Sequence, residues 1–377
     1  MSQITAAEAR ASADEAKVVI DCLMAKAKSA MEAFENADQE TVDEAVTALA
    51  WSIYEPARAR KLAETAVRDT GLGNVESKVI KNMRKTFGCL RDLMRVRSVG
   101  IIEERPEKGL VLYAKPIGVV AAVAPSTNPA ATPVNKAMMA VKGRNAVIVA
   151  PSPAGLSTTS QTVEYMRDEL RKVGAPEDLV QVLPAPVNKT LTQELMNQAD
   201  LIVVTGSQNN VRRAYSSGTP AIGVGAGNVP VIIDSTADLQ DAAKKIMMSK
   251  CFDNATSCSS ENSVTILDDV YEDAIQALKN AGGYLVTSEE KQKILDTLWV
   301  DGHLNRHVIA KDPDVLAEHC GLSEEAKSAK FFLVEDQNGV GEDYPLSDEK
   351  LSLVLTVYRA MNFREAKTHV QNVLDFV

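Results

Sequence analysis

From Gly109 onward, short Val- and Ala-rich runs alternate with longer stretches of helical character, and no other feature restricts the fold as much. The apolar runs fall at residues 111–114, 117–124, 146–150, 179–183, 201–204 and 229–233, with helical stretches such as 157–173 between most of them. Short apolar runs lacking polar alternation are typical of strands buried on both faces, and such strands separated by helices build a doubly wound parallel sheet. After Asp234 a second alternation begins, helical over 238–250, extended over 263–267 and helical again over 269–281. A chain of 377 residues exceeds one ordinary core, so two α/β domains are expected.

The first hundred or so residues read as helical. Val79, Ile80, Met83, Phe87, Leu90 and Met94 recur at three- and four-residue steps, which predicts a stripe facing the core. Residues 100–114 form two extended runs around Pro106-Glu107-Lys108-Gly109, the pattern of a hairpin with a turn at its tip. No internal repeat or low-complexity linker interrupts the chain.

A hydrophobic fraction of 45% with 24% charged residues is an ordinary globular balance. The net charge of −10, from 41 basic and 51 acidic residues, argues against general affinity for nucleic acid or an anionic membrane. Any anionic ligand must therefore be held by local groups. Cys22, Cys89, Cys251, Cys258 and Cys320 lack paired spacing, which suggests neither a disulfide framework nor a zinc motif and fits a reducing cytoplasm. His303 and His307 stand at helical spacing without an accompanying carboxylate motif, so no metal site is expected. The polar N-terminus shows neither a signal core nor a spanning segment, and a soluble cytoplasmic protein is expected.

The strongest chemical signal is Phe252-Asp253-Asn254-Ala255-Thr256-Ser257-Cys258-Ser259-Ser260-Glu261-Asn262-Ser263, a single cysteine in a polar loop beside a predicted strand. A cysteine among small residues is commonly a buried structural thiol. Flanked by Ser257, Ser259 and Ser260, however, Cys258 suits a loop opening into a polar cleft, where a thiol attacks a carbonyl and holds the product as a thioester. The run 117–124 ends in Pro125-Ser126-Thr127-Asn128-Pro129, polar residues standing where a doubly wound sheet places its ligands. Asn128 also reads as a cap for the following helix. Thr205-Gly206-Ser207 feeds the helical run 209–215, a small-residue turn suited to an anion, although no Gly-x-Gly-x-x-Gly fingerprint follows the strands. Asp348-Glu349-Lys350-Leu351-Ser352 is a charged cluster before the apolar run 353–357.

Together, the Cys258 segment, the loop ending in Asn128, Thr205-Gly206-Ser207 and Gly223-Val224-Gly225-Ala226-Gly227-Asn228 resemble the aldehyde dehydrogenase superfamily, in particular its coenzyme A-acylating branch. The resemblance implies that Cys258 is the nucleophile and that Asn128, with the backbone N–H of the nucleophile, receives the oxyanion. Losing one such donor typically costs about 2.7–4 kcal/mol of transition-state stabilisation. It also implies a nicotinamide dinucleotide held by Ser126, Thr127, Gly206, Ser207, Val224 and Gly225, with Glu349 accepting the ribose hydroxyls. The family usually has proline after the serine that follows Glu349, and this chain has Leu353. Hydrolytic members carry a water-activating glutamate in Leu-Glu-Leu-Gly-Gly; here Val224 occupies that place, so water attack should be slow and coenzyme A should take the acyl group.

The implied fold is aldehyde dehydrogenase-like α/β, with two doubly wound parallel-sheet domains and an oligomerisation arm. Residues 1–98 and 117–233 form the dinucleotide-binding domain, 99–116 the hairpin arm, and 234–377 the catalytic domain. Family members continue beyond the helical stretch 363–377, so that domain is expected to be incomplete. A homodimer or homotetramer is implied for a complete chain. In the family the helix after the oxyanion asparagine lines the substrate tunnel; Asn135 there, with Thr256, Ser257 and Ser259 beside Cys258, would make the pocket polar, which favours a small aldehyde with an anionic or strongly polar end, and the whole-chain resemblance implies sulfoacetaldehyde, with acetaldehyde as the alternative. The loop 151–157 holds Ser152 and no acid, which favours NADP, with NAD as the alternative. A non-catalytic scaffold or partner subunit is the alternative from another class.

Overall fold

The structure is a computed structural model describing residues 6–337 and 339–376, with side chains from residue 13 onward. The extreme N-terminus and Val377, the expected last residue of the final helix, lie outside the described residues. The chain divides into two compact units, Met1–Thr70 with Lys78–Gly225, and Gly71–Ser77 with Ala226–Val377.

The first unit opens with four helices, α1 (Ala6–Phe34), α2 (Gln39–Tyr54), α3 (Pro56–Thr70) and α4 (Val75–Leu93). Asp38 caps α2 by accepting the Thr41 N–H at 2.9 Å, and Pro56 opens α3, where no amide hydrogen is needed. The expected hairpin follows as β1 (Ile101–Arg105) and β2 (Leu110–Tyr113), joined by one tight turn with Gly109 left-handed at φ 62°. Then strand and helix alternate: β3 (Val119–Val123), α5 (Ala131–Lys142), β4 (Ala146–Ala150), α6 (Leu156–Lys172), β5 (Val180–Val182), α7 (Lys189–Gln198), β6 (Leu201–Thr205), α8 (Gln208–Tyr215) and β7 (Ala221–Val224). The sheet order is β5-β4-β3-β6-β7, with every pairing parallel. All five residues of β3 and of β4 are buried, as strands covered on both faces must be. On either side, α1 lies against α7 and β4, while α2 covers α5 and α6.

The second unit runs β8 (Pro230–Ile233), α9 (Leu239–Lys250), β9 (Ser263–Leu267), α10 (Tyr271–Asn280), β10 (Gly283–Leu285), α11 (Ser288–Leu298), the short pair β11 (Trp299–Val300) and β12 (His303–Leu304), α12 (Pro313–His319), β13 (Phe331–Glu335), β14 (Val354–Ala360) and α13 (Phe363–Phe376). Its sheet order is β10-β13-β14-β9-β8, again all parallel. Among the described residues no helix is long and apolar enough to cross a membrane, and no group of three His, Cys, Asp or Glu side chains is arranged to hold a metal.

Three expectations need correction. Residues 230–233 pair with β9, so this strand belongs to the second sheet and the boundary at 234 falls one strand late. The edge strand β7 lies inside a stretch whose glycines hid its extended character. The stripe on α4 faces the core only in part: Leu90 packs against it, but Ile80 and Phe87 are 41% and 53% exposed and Met94, just past the helix, is 42% exposed, whereas Lys78, Lys81, Asn82 and Thr86 are buried. Two members of that inner polar face have partners, Lys78 Nζ donating to Thr127 O at 3.0 Å and Asn82 Nδ2 to Ala59 O at 3.1 Å, while the buried Thr86 hydroxyl has none. Tyr54 stacks near Phe87 on the outer side, with ring centroids 6.0 Å apart.

Candidate active site

In the first unit, β3 leads to β4 and β5 on one side while β6 and β7 lie on the other, so the strand order reverses between β3 and β6. At such a switch point the connections beyond the strand ends diverge and leave a crevice for ligands. Ser126, Thr127 and Asn128 follow the end of β3, Ser152 the end of β4, Gly206 and Ser207 the end of β6, and Gly225 the end of β7. These expected residues therefore share the carboxyl edge of one sheet.

Local contacts tighten that edge. Gly206 N–H donates to Val224 O at 3.2 Å, joining the ends of β6 and β7. Gly206 has φ 152°, and a methyl on Gly225 would stand 2.5 Å from Gln208 Oε1, so a side chain at Gly225 would crowd the start of α8. Ser207 begins α8 without a capping side-chain bond. Ser152 Oγ accepts the Gly155 N–H at 3.2 Å, and its own hydrogen is left to donate. No side chain caps α5, which starts from Ala130, so Asn128 does not serve as the helix cap.

Two lysines that the sequence reading passed over support this edge. Lys136, on α5, donates to Val123 O at 2.6 Å and to Val203 O at 2.8 Å, tying β3 to β6 at the switch point. Burial pushes its ammonium down to about 7. The signal was a lysine at helical spacing with Pro133 and Ala140 on an inward face. Lys78 does similar work through Thr127 O, next to Asn128. On α5 the buried residues surround a narrow uncovered strip holding Thr132, Asn135 and Met139, and Asn135 Oδ1 is buried without a partner.

In the second unit the Cys258 segment follows α9. Asp253, Asn254 and Ala255 take left-handed φ values of 51°, 52° and 60°, which side chains resist. Hydrogen bonds offset the strain: Asn74 N–H and Thr256 Oγ1 donate to Asp253, and Asn254 Nδ2 donates to Asp312 Oδ1 at 2.8 Å. Thr256 is thus buried and engaged with Asp253, and it does not line an open pocket as expected. Ser257 is half-buried, and Cys258 and Ser259 are exposed. Cys251, by contrast, is half-buried with its thiol 3.5 Å from Lys330 O, and burial pushes it up to about 11.

Gly227 passes directly beside Cys258: a methyl there would stand 2.7 Å from Cys258 O and 3.0 Å from Cys258 Cβ. Its N–H donates to the Glu349 carboxylate, yet burial still raises that group to about 7, with Asp348 adding to the rise and Lys250 and Lys350 opposing it. The second unit therefore gathers Cys258, Gly227 and Glu349. Buried Lys250 donates to Glu261 O at 2.8 Å, and buried Lys350 donates to Leu346 O at 2.7 Å and Asp348 O at 3.0 Å, securing the loops on which Cys258 and Glu349 stand.

A parallel sheet with ligand-type loops at its switch point, and a second with an exposed cysteine against a glycine, define a dehydrogenase of the thiol-dependent kind. The chain belongs to the aldehyde dehydrogenase family, whose pattern matches residues 3–293. An acylating sulfoacetaldehyde dehydrogenase from Cupriavidus necator is 51% identical over 365 residues, covering 97% of this chain and 74% of that protein. An acetylating aldehyde dehydrogenase from Geobacillus thermoglucosidasius superposes with a TM-score of 0.92 at 36% identity, covering 96% of this chain and 80% of that one. A Rhodopseudomonas palustris propionaldehyde dehydrogenase with bound CoA and an acylated cysteine superposes with a TM-score of 0.83 at 25% identity, covering 94% and 80%.

Proposed function

We propose that this protein is a coenzyme A-acylating aldehyde dehydrogenase that oxidises sulfoacetaldehyde with NADP to the corresponding acyl-CoA. The observation that carries the reading is the exposed Cys258 thiol on a loop pinned from both ends, in a chain whose glycine-rich strand ends in Val224 and offers no carboxylate there to activate water. The acylating relative at 51% identity supports the same choice.

In this reading the Cys258 thiolate forms a carbon–sulfur bond with the aldehyde carbon, and the Asn128 amide donates to the oxygen that becomes negative. Bound nicotinamide supplies the hydride acceptor. Cys258 then carries the acyl group as a thioester until the thiol of coenzyme A attacks it, and the enzyme sulfur leaves as thiolate. The balance is aldehyde, coenzyme A and oxidised cofactor giving acyl-CoA, reduced cofactor and one proton.

The residues fit a nicotinamide dinucleotide. The uncapped start of α8 at Ser207, the adjoining backbone of Gly206 and Gly225 and the free Ser152 hydroxyl hydrogen suit its phosphates, and the Glu349 carboxylate suits its ribose hydroxyls. Ser126 and Thr127 belong to the same edge. The lack of an acid near Ser152 favours NADP over NAD. The first unit is thus assigned cofactor binding and the second the nucleophile. Asn135, with Ser257 and Ser259, is assigned to the polar end of the substrate. The β1–β2 hairpin, which exposes Leu110, Val111 and Tyr113, is assigned to a homo-oligomer contact, and five free cysteines support a cytoplasmic setting.

The test is an aldehyde panel with each oxidised cofactor, with and without coenzyme A, following reduced nicotinamide by absorbance. Sustained turnover should need coenzyme A and be fastest with sulfoacetaldehyde and NADP. Steady release of free acid without a thiol, or no turnover of any aldehyde, contradicts the reading.

A further inference from the structure

Asn262 stands at the end of the nucleophile loop, one residue before β9, and is only 4% exposed. Its backbone continues the sheet on both sides, the N–H donating to Val229 O at 2.9 Å and the carbonyl accepting the Thr356 N–H at 3.1 Å. Its side chain does something the sheet does not require. Oδ1 accepts the Lys350 N–H at 3.1 Å, and Nδ2 donates to Gly227 O at 3.4 Å.

These two bonds close a circuit. Gly227 gives its N–H to the Glu349 carboxylate, the next residue Lys350 gives its N–H to Asn262, and Asn262 returns a donor to Gly227. Gly227 is also the residue packed against Cys258. One buried amide thus sets the glycine that Cys258 rests on and the backbone that aims Glu349. Because both amide functions are used, neither an apolar residue nor a hydroxyl of similar size reproduces them.

We infer that Asn262 is a positioning residue that holds Glu349 and Cys258 in register through Gly227, coupling cofactor grip to the nucleophile. The inference rests on the reading of Glu349 as the acceptor of the cofactor ribose hydroxyls. Lys250 and Lys350 secure the same loops through carbonyls, but neither joins the two loops to Gly227.

The experiment measures the dissociation constant of NADPH by fluorescence, which needs no turnover, for the full chain and for Asn262→Ala, Glu349→Gln and the double variant, with melting temperatures recorded alongside. Each single substitution should weaken binding by about tenfold, the scale of one lost hydrogen bond to a charged or aligned partner. The double variant should bind no more weakly than Glu349→Gln alone, because Asn262 acts through Glu349. Asn262→Gln, which keeps donor and acceptor, should restore affinity to within about threefold of the parent and serves as the folded comparison if Asn262→Ala melts. At saturating cofactor, kcat of Asn262→Ala per reactive Cys258 thiol should also fall. Unchanged binding in Asn262→Ala while Glu349→Gln is weakened overturns the inference alone; unchanged binding in Glu349→Gln overturns it together with the cofactor role of Glu349. Multiplying effects in the double variant, or failure of Asn262→Gln to bind better than Asn262→Ala, also contradict it.

Discussion

Gly227 and Cys258 are in contact, with no room for a methyl group between them: a Cβ on Gly227 would lie 2.7 Å from Cys258 O. The approach brings a backbone amide beside the nucleophile, and that same amide hydrogen-bonds Glu349. Any side chain at residue 227 must displace one of the two.

Gly227→Ala should therefore damage catalysis more than folding. Overpacking of this kind typically costs about 1–3 kcal/mol, and a shift of the nucleophile by a fraction of an ångström adds a loss of rate. We expect kcat to fall by at least about tenfold with a change in melting temperature of a few degrees. Steady-state kinetics and a thermal melt check this. Parent-like kcat would show that the loop yields without consequence for Cys258.

Glu349 gives a pH dependence of defined sign. Its value is raised from 4.5 to about 7, so the native state holds the proton more tightly than the unfolded chain does. The stability it contributes is full below 4.5 and is lost as the pH rises towards about 7. In the proposed role Glu349 accepts the ribose hydroxyls in its ionised form, so cofactor affinity should rise across the same upper range, with the Gly227 N–H, Lys250 and Lys350 favouring ionisation and Asp348 opposing it. Glu349→Gln should flatten both profiles. Calorimetric melting and cofactor titration from acid to neutral pH are the measurements, and parallel profiles in parent and variant would exclude this assignment.

Much of the fold was legible in the sequence because strands buried on both faces leave unbroken apolar runs. The runs ending β3, β4 and β6 carry no polar residues to confuse them, and residues 146–150 form β4 as expected. The α4 stripe misled because periodicity reports an apolar face without saying what covers it; Lys78 and Asn82 turn inward because carbonyls await them. Residues 230–233 were assigned to the wrong sheet because pairing is a non-local choice that local composition cannot carry. At the candidate site, the polar flanks of Cys258 and the loop before α5 were visible. Lys136, Gly227 and Asn262 were not, since each acts through backbone groups brought near only by the folded chain.

Asn135 provides the test of substrate class. Its Oδ1 is buried without a partner, an arrangement that costs about 1–3 kcal/mol unless a polar atom meets the amide. Asn135→Leu should lower kcat/KM for sulfoacetaldehyde and raise it for butanal, changing their ratio by roughly five- to 150-fold. Competition between the two aldehydes, with products separated by mass, reads the ratio directly. An unchanged ratio would remove Asn135 from the substrate pocket and favour a general acetaldehyde-type enzyme.

In the proposed cycle Cys258 holds the acyl group until coenzyme A removes it. Cys258 is exposed, whereas Cys251 is half-buried with its thiol raised to about 11, so the two cysteines should behave differently. Intact-protein and peptide mass spectrometry after mixing enzyme, sulfoacetaldehyde and oxidised cofactor without coenzyme A measures this most directly. We expect one acyl group per chain on Cys258, discharged as acyl-CoA on adding coenzyme A, retained in Cys251→Ala and absent in Cys258→Ala. An acyl group on another residue, or free acid accumulating over many turnovers with Cys258 unmodified, would contradict it.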